Sequence, residues 1–306
     1  MAAQQSISVA DTETGAAGTP ADEPSPAQQA KKGSRAGRNL PAAIIVGALL
    51  AGMLVGTLVF RRDLWVVIIA VAAPLATHEV TRRLREAGYD VPFLPLLAGG
   101  QAMVWLAWLS GAKGMLGAFG ATVVVCMIWR LVNQGLSHTP VNYLRDMSAT
   151  IFLAAWVPLC ISFSVLLVFQ QNGAARVFCL LVAVVLSDVG GYTAGVLFGK
   201  HPIAPAISPK KSWEGLAGSL LFGVTGTALA VAFLLPGKSP WLVGVPLGVL
   251  LVVTGTLGDL VESQIKRDLG IKDMGRLLPG HGGLMDRLDG LLPAAATTWI
   301  VLTLLS

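Results

Sequence analysis

Charge is scarce in this chain. Only 13% of its 306 residues are Asp, Glu, Lys or Arg, against about 25% in an ordinary soluble domain. With 54% hydrophobic residues and a mean hydropathy of +0.69, that shortage excludes a soluble globular protein. Cysteine is scarce too. Cys126, Cys160 and Cys179 fall in separate apolar runs with no Cys-x-x-Cys spacing, which excludes a disulfide framework or a thiolate metal site and leaves small core residues. The formal charge of +5 is no signal for nucleic acid, because the cations sit in short segments between apolar runs. There they act as topology signals and as partners for anionic lipid or nucleotide.

What remains is long apolar runs. The expected fold is all-α, a polytopic bundle in which each helix satisfies its own backbone within the bilayer. Nine runs approach the roughly 20 residues that a span needs: 40–60, 64–79, 93–110, 114–130, 148–169, 177–198, 216–235, 241–259 and 288–305. The second is the weakest, being short, holding Pro74 and ending in His78-Glu79. With the N-terminus inside, most cations gather on inner segments, and only Arg61, Arg62, Lys113, Arg176 and Lys238 fall outside. This bias places the N-terminus in the cytoplasm and the C-terminus outside. Residues 1–38, rich in Ala, Gln, Ser, Thr and Pro, cannot bury enough surface to fold and are expected to be a disordered tail. The rest divides into N-terminal transmembrane helices (39–175) and a region, 176–306, with motif-bearing inner loops at 199–215 and 260–287.

The densest charge downstream of the tail lies between Ser263 and Asp289. It combines Lys266, Arg267, Lys272, Arg276 and Arg287 with Asp268, Asp273, Asp286 and Asp289, and adds His281 and the Gly282-Gly283 pair. Phosphate and divalent metal together call for these groups: carboxylates for a hard cation, Lys and Arg for phosphate, glycine where amides must approach closely. Just upstream, Asp259, Glu262 and Ser263 are spaced to share one helix face. Asp286 and Asp289 could each cap a helix, but capping does not account for two acids, Arg287 between them and a His-Gly-Gly before them.

Asp188, mid-way along the sixth run, costs about 2.5–3.5 kcal/mol to insert. Either it pairs with a cation from a neighbouring helix or it marks a site. The stretch Ser208-Pro209-Lys210-Lys211-Ser212-Trp213-Glu214-Gly215 is either a positive flank with a Trp anchor or a phosphate grip of two lysines, two hydroxyls and a helix N-terminus. Arg82, Arg83, Arg85 and Glu86 read as an ordinary solvated loop.

Taken together, Ser263-x-Ile265-Lys266-Arg267, Lys272-Asp273-x-Gly275 and Leu278-Pro279-x-His281-Gly282-Gly283-Leu284-x-Asp286-Arg287-Leu288-Asp289 resemble the signature of the phosphatidate cytidylyltransferases (CDP-diacylglycerol synthases). Gly258-Asp259-Leu260 with Glu262-Ser263, the Ser208–Gly215 stretch, and Asp188 with Tyr192 are similar to other motifs of that family. Ser212 stands where Thr is expected, and Gly191 where Ala is common. The resemblance implies CMP transfer from CTP to phosphatidate, a divalent cation (Mg²⁺ or Mn²⁺, with a second cation open), an integral helical fold and a homodimer; the Lys and Arg bias puts the site on the cytoplasmic side, and the expected location is the plasma (inner) membrane. It assigns Asp259 and Asp286 to the metal, with Asp188 and Asp289 in support. By residue type, Lys266, Arg267 and His281 would join Asp259 and Asp286 in catalysis. Ser208, Lys210, Lys211, Ser212, Glu214, Ser263, Lys272, Asp273, Gly282, Gly283 and Arg287 would contact substrate. The rival readings are a CTP-dependent polyprenol kinase and a proton-coupled transporter using Asp188. The spacing of a CDP-alcohol phosphotransferase is absent.

Overall fold

The computed structural model describes residues 52–134, 136, 139, 141–275, 277 and 282–305. The 1–38 tail, the start of the first apolar run, Arg276 and His281 lie outside the described residues. Helix α1 occupies 52–60, and α2 (Arg62–Glu86) follows directly. α2 runs well past the expected end at residue 79. Its charged last turn, with Arg83 and Arg85, is helix rather than loop, since cations there complement the dipole. Pro74 sits within it. Proline donates no backbone hydrogen bond, so the Ala70 carbonyl one turn earlier is left free. Gln101 Nε2 from the next helix donates to that carbonyl at 2.8 Å, the repair a proline needs in lipid.

Helix α3 (Phe93–Gln134) bends back at Gly111, whose φ of 65° and ψ of −154° only glycine adopts readily. Its limbs lie against each other: a Cβ on Gly99 would fall 2.1 Å from Thr122 Oγ1, 23 residues further on. The runs at 93–110 and 114–130 are therefore two arms of one hairpin. Helix α4 (Tyr143–Val168) widens into a π-turn at Ala155–Leu159, where Pro158 interrupts the backbone ladder. A buried ion pair, Arg130 to Asp146 at 2.8 Å, ties the end of α3 to the start of α4.

Helices α5 (Gly173–Phe198) and α6 (Trp213–Leu234) pack closely against each other. A Cβ on Gly190 would meet the Gly218 carbonyl at 2.5 Å, and one on Gly218 would meet the Gly190 carbonyl at 2.4 Å. Small residues on both sides let two backbones touch, which substitutes for the hydrophobic drive that lipid does not supply. Between them lies a β-hairpin, β1 (Pro202–Ala204) antiparallel to β2 (Ser208–Ser212), an exception to the all-α expectation. Ser212 ends β2 and caps α6, its Oγ accepting from Gly215 N at 3.1 Å.

Helix α7 (Pro240–Asp268) packs on α6 through Gly244 and Gly248. It carries Glu262, Ser263, Lys266 and Arg267 on its last two turns, so the expected loop at 260–287 is helical to residue 268. Lys266 and Arg267 at the C-terminus favour that extension. A short α8 (Met285–Leu288) leads into α9 (Leu291–Leu304).

Six of the described helices have the length and composition to cross a membrane: α2, α3, α4, α5, α6 and α7. That is fewer than nine because the two α3 arms count as one helix, α9 has 14 residues, and only 52–60 of the first apolar run lie among the described residues. Their outer surface is strongly apolar, with Phe233 81% and Trp241 79% exposed, as suits an integral membrane protein whose outer solvent is lipid.

Candidate active site

One cavity of about 440 Å³ opens between α5, α6, α7, β2 and the α8–α9 junction. Asp188 projects into it from α5, Asp259 from α7, and Asp286 and Asp289 from α8 and its C-cap. Facing them are Ser208, Lys210, Lys211 and Ser212 from β2 and Arg287 from α8. Acids distant in sequence thus share one space with the lysines of a β-strand. Tyr192 and Thr256 complete the wall.

Each acid is held differently. Asp259 Oδ2 pairs with Lys211 Nζ at 2.5 Å, and its Oδ1 accepts from Ser263 Oγ at 3.2 Å. Asp286 Oδ1 accepts from Lys266 Nζ at 3.0 Å, while the amides of Met274 and Gly283 donate to its Oδ2 at 3.1 and 3.0 Å. Burial pushes the Asp286 carboxyl up, but Lys266 and those two amides outweigh it and hold the group below the usual carboxylate range. Asp289 Oδ1 accepts from the amide of Gly290 at 2.7 Å. Among the described residues no three His, Cys, Asp or Glu side chains already close into a ligand shell. Asp259 and Asp286 each hold a lysine instead.

Several residues expected at the site stand beside it. Glu262 is wholly buried, turned from the face that Asp259 and Ser263 share, and pairs with Lys266 at 3.2 Å. Glu214 turns to the hairpin, where its Oε1 meets His201 Nδ1 at 2.6 Å and its Oε2 accepts from the Lys200 and His201 amides. Arg267 Nε donates to Ile207 O at 3.1 Å, tying the end of α7 to the hairpin turn. Lys272 and Asp273 are exposed on the loop. Gly282 (φ 85°) and Gly283 shape the turn that presents the amide to Asp286. No caps explain Asp286 and Asp289: the former accepts from the 274 and 283 amides, the latter from Gly290 N at 2.7 Å.

Two participants were not expected. Glu79 and Arg83 of α2 reach the 273–285 loop, Glu79 Oε2 accepting from Met285 N at 2.9 Å and Arg83 Nε donating to Met274 O at 2.8 Å. Arg83 is therefore no solvated loop residue. The only sequence signal was an acid inside an apolar run.

The helical bundle defines an integral membrane protein with one cavity that gathers acids and lysines. Residues 41–305 match the cytidylyltransferase family, and the chain belongs to that family. It is 62% identical to a phosphatidate cytidylyltransferase of Mycobacterium leprae over 97% of this chain and 100% of that protein. It is 59% identical to one of Mycobacterium tuberculosis over 99% of this chain and 94% of that protein. A phosphatidate cytidylyltransferase of Brucella melitensis is 41% identical over 50% of this chain and 55% of its own length.

Proposed function

We propose that this enzyme transfers CMP from CTP to phosphatidate, giving CDP-diacylglycerol and pyrophosphate. The observation that carries the reading is the single cavity in which Asp188, Asp259, Asp286 and Asp289 face Lys210 and Lys211. Membership of the cytidylyltransferase family and the names of its relatives support it.

The reaction joins two polyanions. An oxygen of the lipid phosphate attacks the α-phosphorus of CTP; that P–O bond forms as the α–β bridging bond breaks, and pyrophosphate leaves with the electron pair. A phosphate oxyanion is already a nucleophile, so no general base is required. Positioning and charge neutralisation supply the catalysis. Lys211 exchanges its bond to Asp259 for a phosphate oxygen, which frees Asp259. Lys210 and Arg287 meet the remaining phosphate charge from opposite walls, with Ser208 and Ser212 donating hydroxyls. Lys266 keeps Asp286 ionised. The all-oxygen, carboxylate-rich donor set suits a hard divalent cation, held by Asp259 and Asp286 with Asp188 and Asp289 in support. Bound there, Mg²⁺ or Mn²⁺ would neutralise phosphate charge as a Lewis acid.

The apolar runs support nine membrane segments, counting the α3 arms separately, and the distribution of Lys and Arg supports an N-terminus and a site on the cytoplasmic side; we read the membrane as the plasma membrane. We place the acyl chains in the bilayer beside α5 and α6, and read the enzyme as a homodimer.

The test is radiolabel transfer in purified protein with Mg²⁺. Label from α-labelled CTP enters lipid, label from γ-labelled CTP does not, and chelator stops transfer. Transfer of the γ-label would make the enzyme a kinase. Near-normal turnover by Asp286→Asn would remove Asp286 from the mechanism.

A further inference from the structure

Glu79 is a carboxylate buried in an apolar helix, at 8% exposure. It does not line the cavity. Its Oε2 accepts from the amide of Met285, 206 residues away and next to Asp286. Gly275 and Gly283 approach the carboxyl closely: a Cβ on Gly275 would lie 2.0 Å from Oε1, and one on Gly283 would lie 2.8 Å from Oε2. At Gly275 the Glu79 carboxyl takes the space that a side chain would need, and at Gly283 it shares that role with the Gly275 amide and Asp286 Oδ2.

One turn further along α2, Arg83 grips the same loop. Its Nε donates to Met274 O at 2.8 Å and its Nη2 to Asp273 O at 3.3 Å, while Glu86 steadies Nη1 at 2.8 Å. The connection to chemistry is direct. The two amides that hold the Asp286 carboxylate belong to Met274 and Gly283. Arg83 holds the carbonyl of the first, and Glu79 packs against the second.

We infer that Glu79 and Arg83 are positioning residues: through Asp273, Met274, Gly283 and Met285, α2 sets where Asp286 stands in the cavity. The inference rests on the assignment of Asp286 to catalysis. It gives the N-terminal helices a share in a site whose cavity is lined only by residues downstream of residue 183.

The test uses the full chain in lipid or detergent, with Glu79→Gln, Glu79→Ala, Arg83→Ala and Asp286→Asn. A displacement of about 1 Å at a reacting group costs on the order of 100-fold in rate. Glu79→Ala should therefore lose about 10- to 100-fold in kcat and need roughly 10-fold more divalent ion for half-activation, with KM for phosphatidate unchanged. Glu79→Gln keeps an acceptor for Met285 N and should stay within about 3-fold of wild type. Arg83→Ala should shift the same two parameters in the same direction, and it serves if Glu79→Ala does not fold. A readout independent of turnover is tryptic cleavage after Lys272, expected several-fold faster in Glu79→Ala and Arg83→Ala at unchanged thermal midpoint.

Wild-type metal activation and cleavage in both alanine variants would overturn the inference. So would a Glu79→Gln defect as deep as that of Glu79→Ala, because the charge itself would then be acting. Near-normal turnover by Asp286→Asn would instead remove the catalytic assignment of Asp286, and the cleavage rates would still report whether α2 seats the loop.

Discussion

A lysine bonded to a carboxylate inside an otherwise apolar bundle neutralises that acid until a stronger anion arrives. Lys211 stands in this relation to Asp259, and Lys266 to Asp286. Their uses differ. Lys211 lines the cavity and can move to a phosphate, whereas Lys266 is also bound by the buried Glu262 and stays with the protein. Lys211→Ala should lower kcat about 100- to 1,000-fold, the scale for removing one preorganised charge contact to a reacting phosphate. Steady-state CMP transfer measures it. Lys210→Ala, which removes an exposed cation with no acid bonded to it among the described residues, should cost less and fall mainly on KM for CTP.

At the scale of the element, the helices show how a membrane protein tolerates residues that break helices in water. Pro74 leaves the Ala70 carbonyl without its ladder partner, and Gln101 supplies one from α3. Gln101→Leu should orphan that carbonyl and destabilise the fold by about 1–3 kcal/mol. Pro74→Ala restores the missing N–H, so the double variant should recover most of the loss. Thermal unfolding of the four proteins in one detergent gives the coupling. Additive losses would show that the side chain and the proline do not act on the same carbonyl. Hydropathy read Pro74 as a weakness and cut the helix at residue 79. The charged final turn of α2 fails a search for apolar runs, yet it is the part that reaches the 273–285 loop. The same blindness put Glu262 to Arg267 in a loop and missed the β-hairpin, whose strands of three and five residues are too short to carry a pattern.

For the whole molecule, the site exists because several helices approach more closely than ordinary side chains allow. A Cβ on Gly258 would fall 2.4 Å from the Asp289 carbonyl and 2.7 Å from Pro293 Cγ. Gly258→Val should therefore pry the α7 end from the α8–α9 junction, separating Asp259 from Asp289, and lower turnover at least about 10-fold. Its helices should persist by circular dichroism, since both are long or capped by packing elsewhere. Full activity in that variant would mean that the two acids need not stand together.

Scarce charge and the long apolar runs together marked this chain as an integral membrane protein, because such runs satisfy their backbone groups as helices within lipid. It also exposed the residues suited to phosphate and cation, since charges are few enough here that each cluster stands out. What the order of residues could not decide was which acids meet, and which charges hold one another instead of a substrate. Glu214, Glu262, Arg83 and Arg267 have the same chemistry as the cavity residues, but helix rotation and glycine contacts turned them to His201, Lys266, Met274 and Ile207. Those directions depend on contacts between segments far apart in the chain, and only the packed bundle sets them.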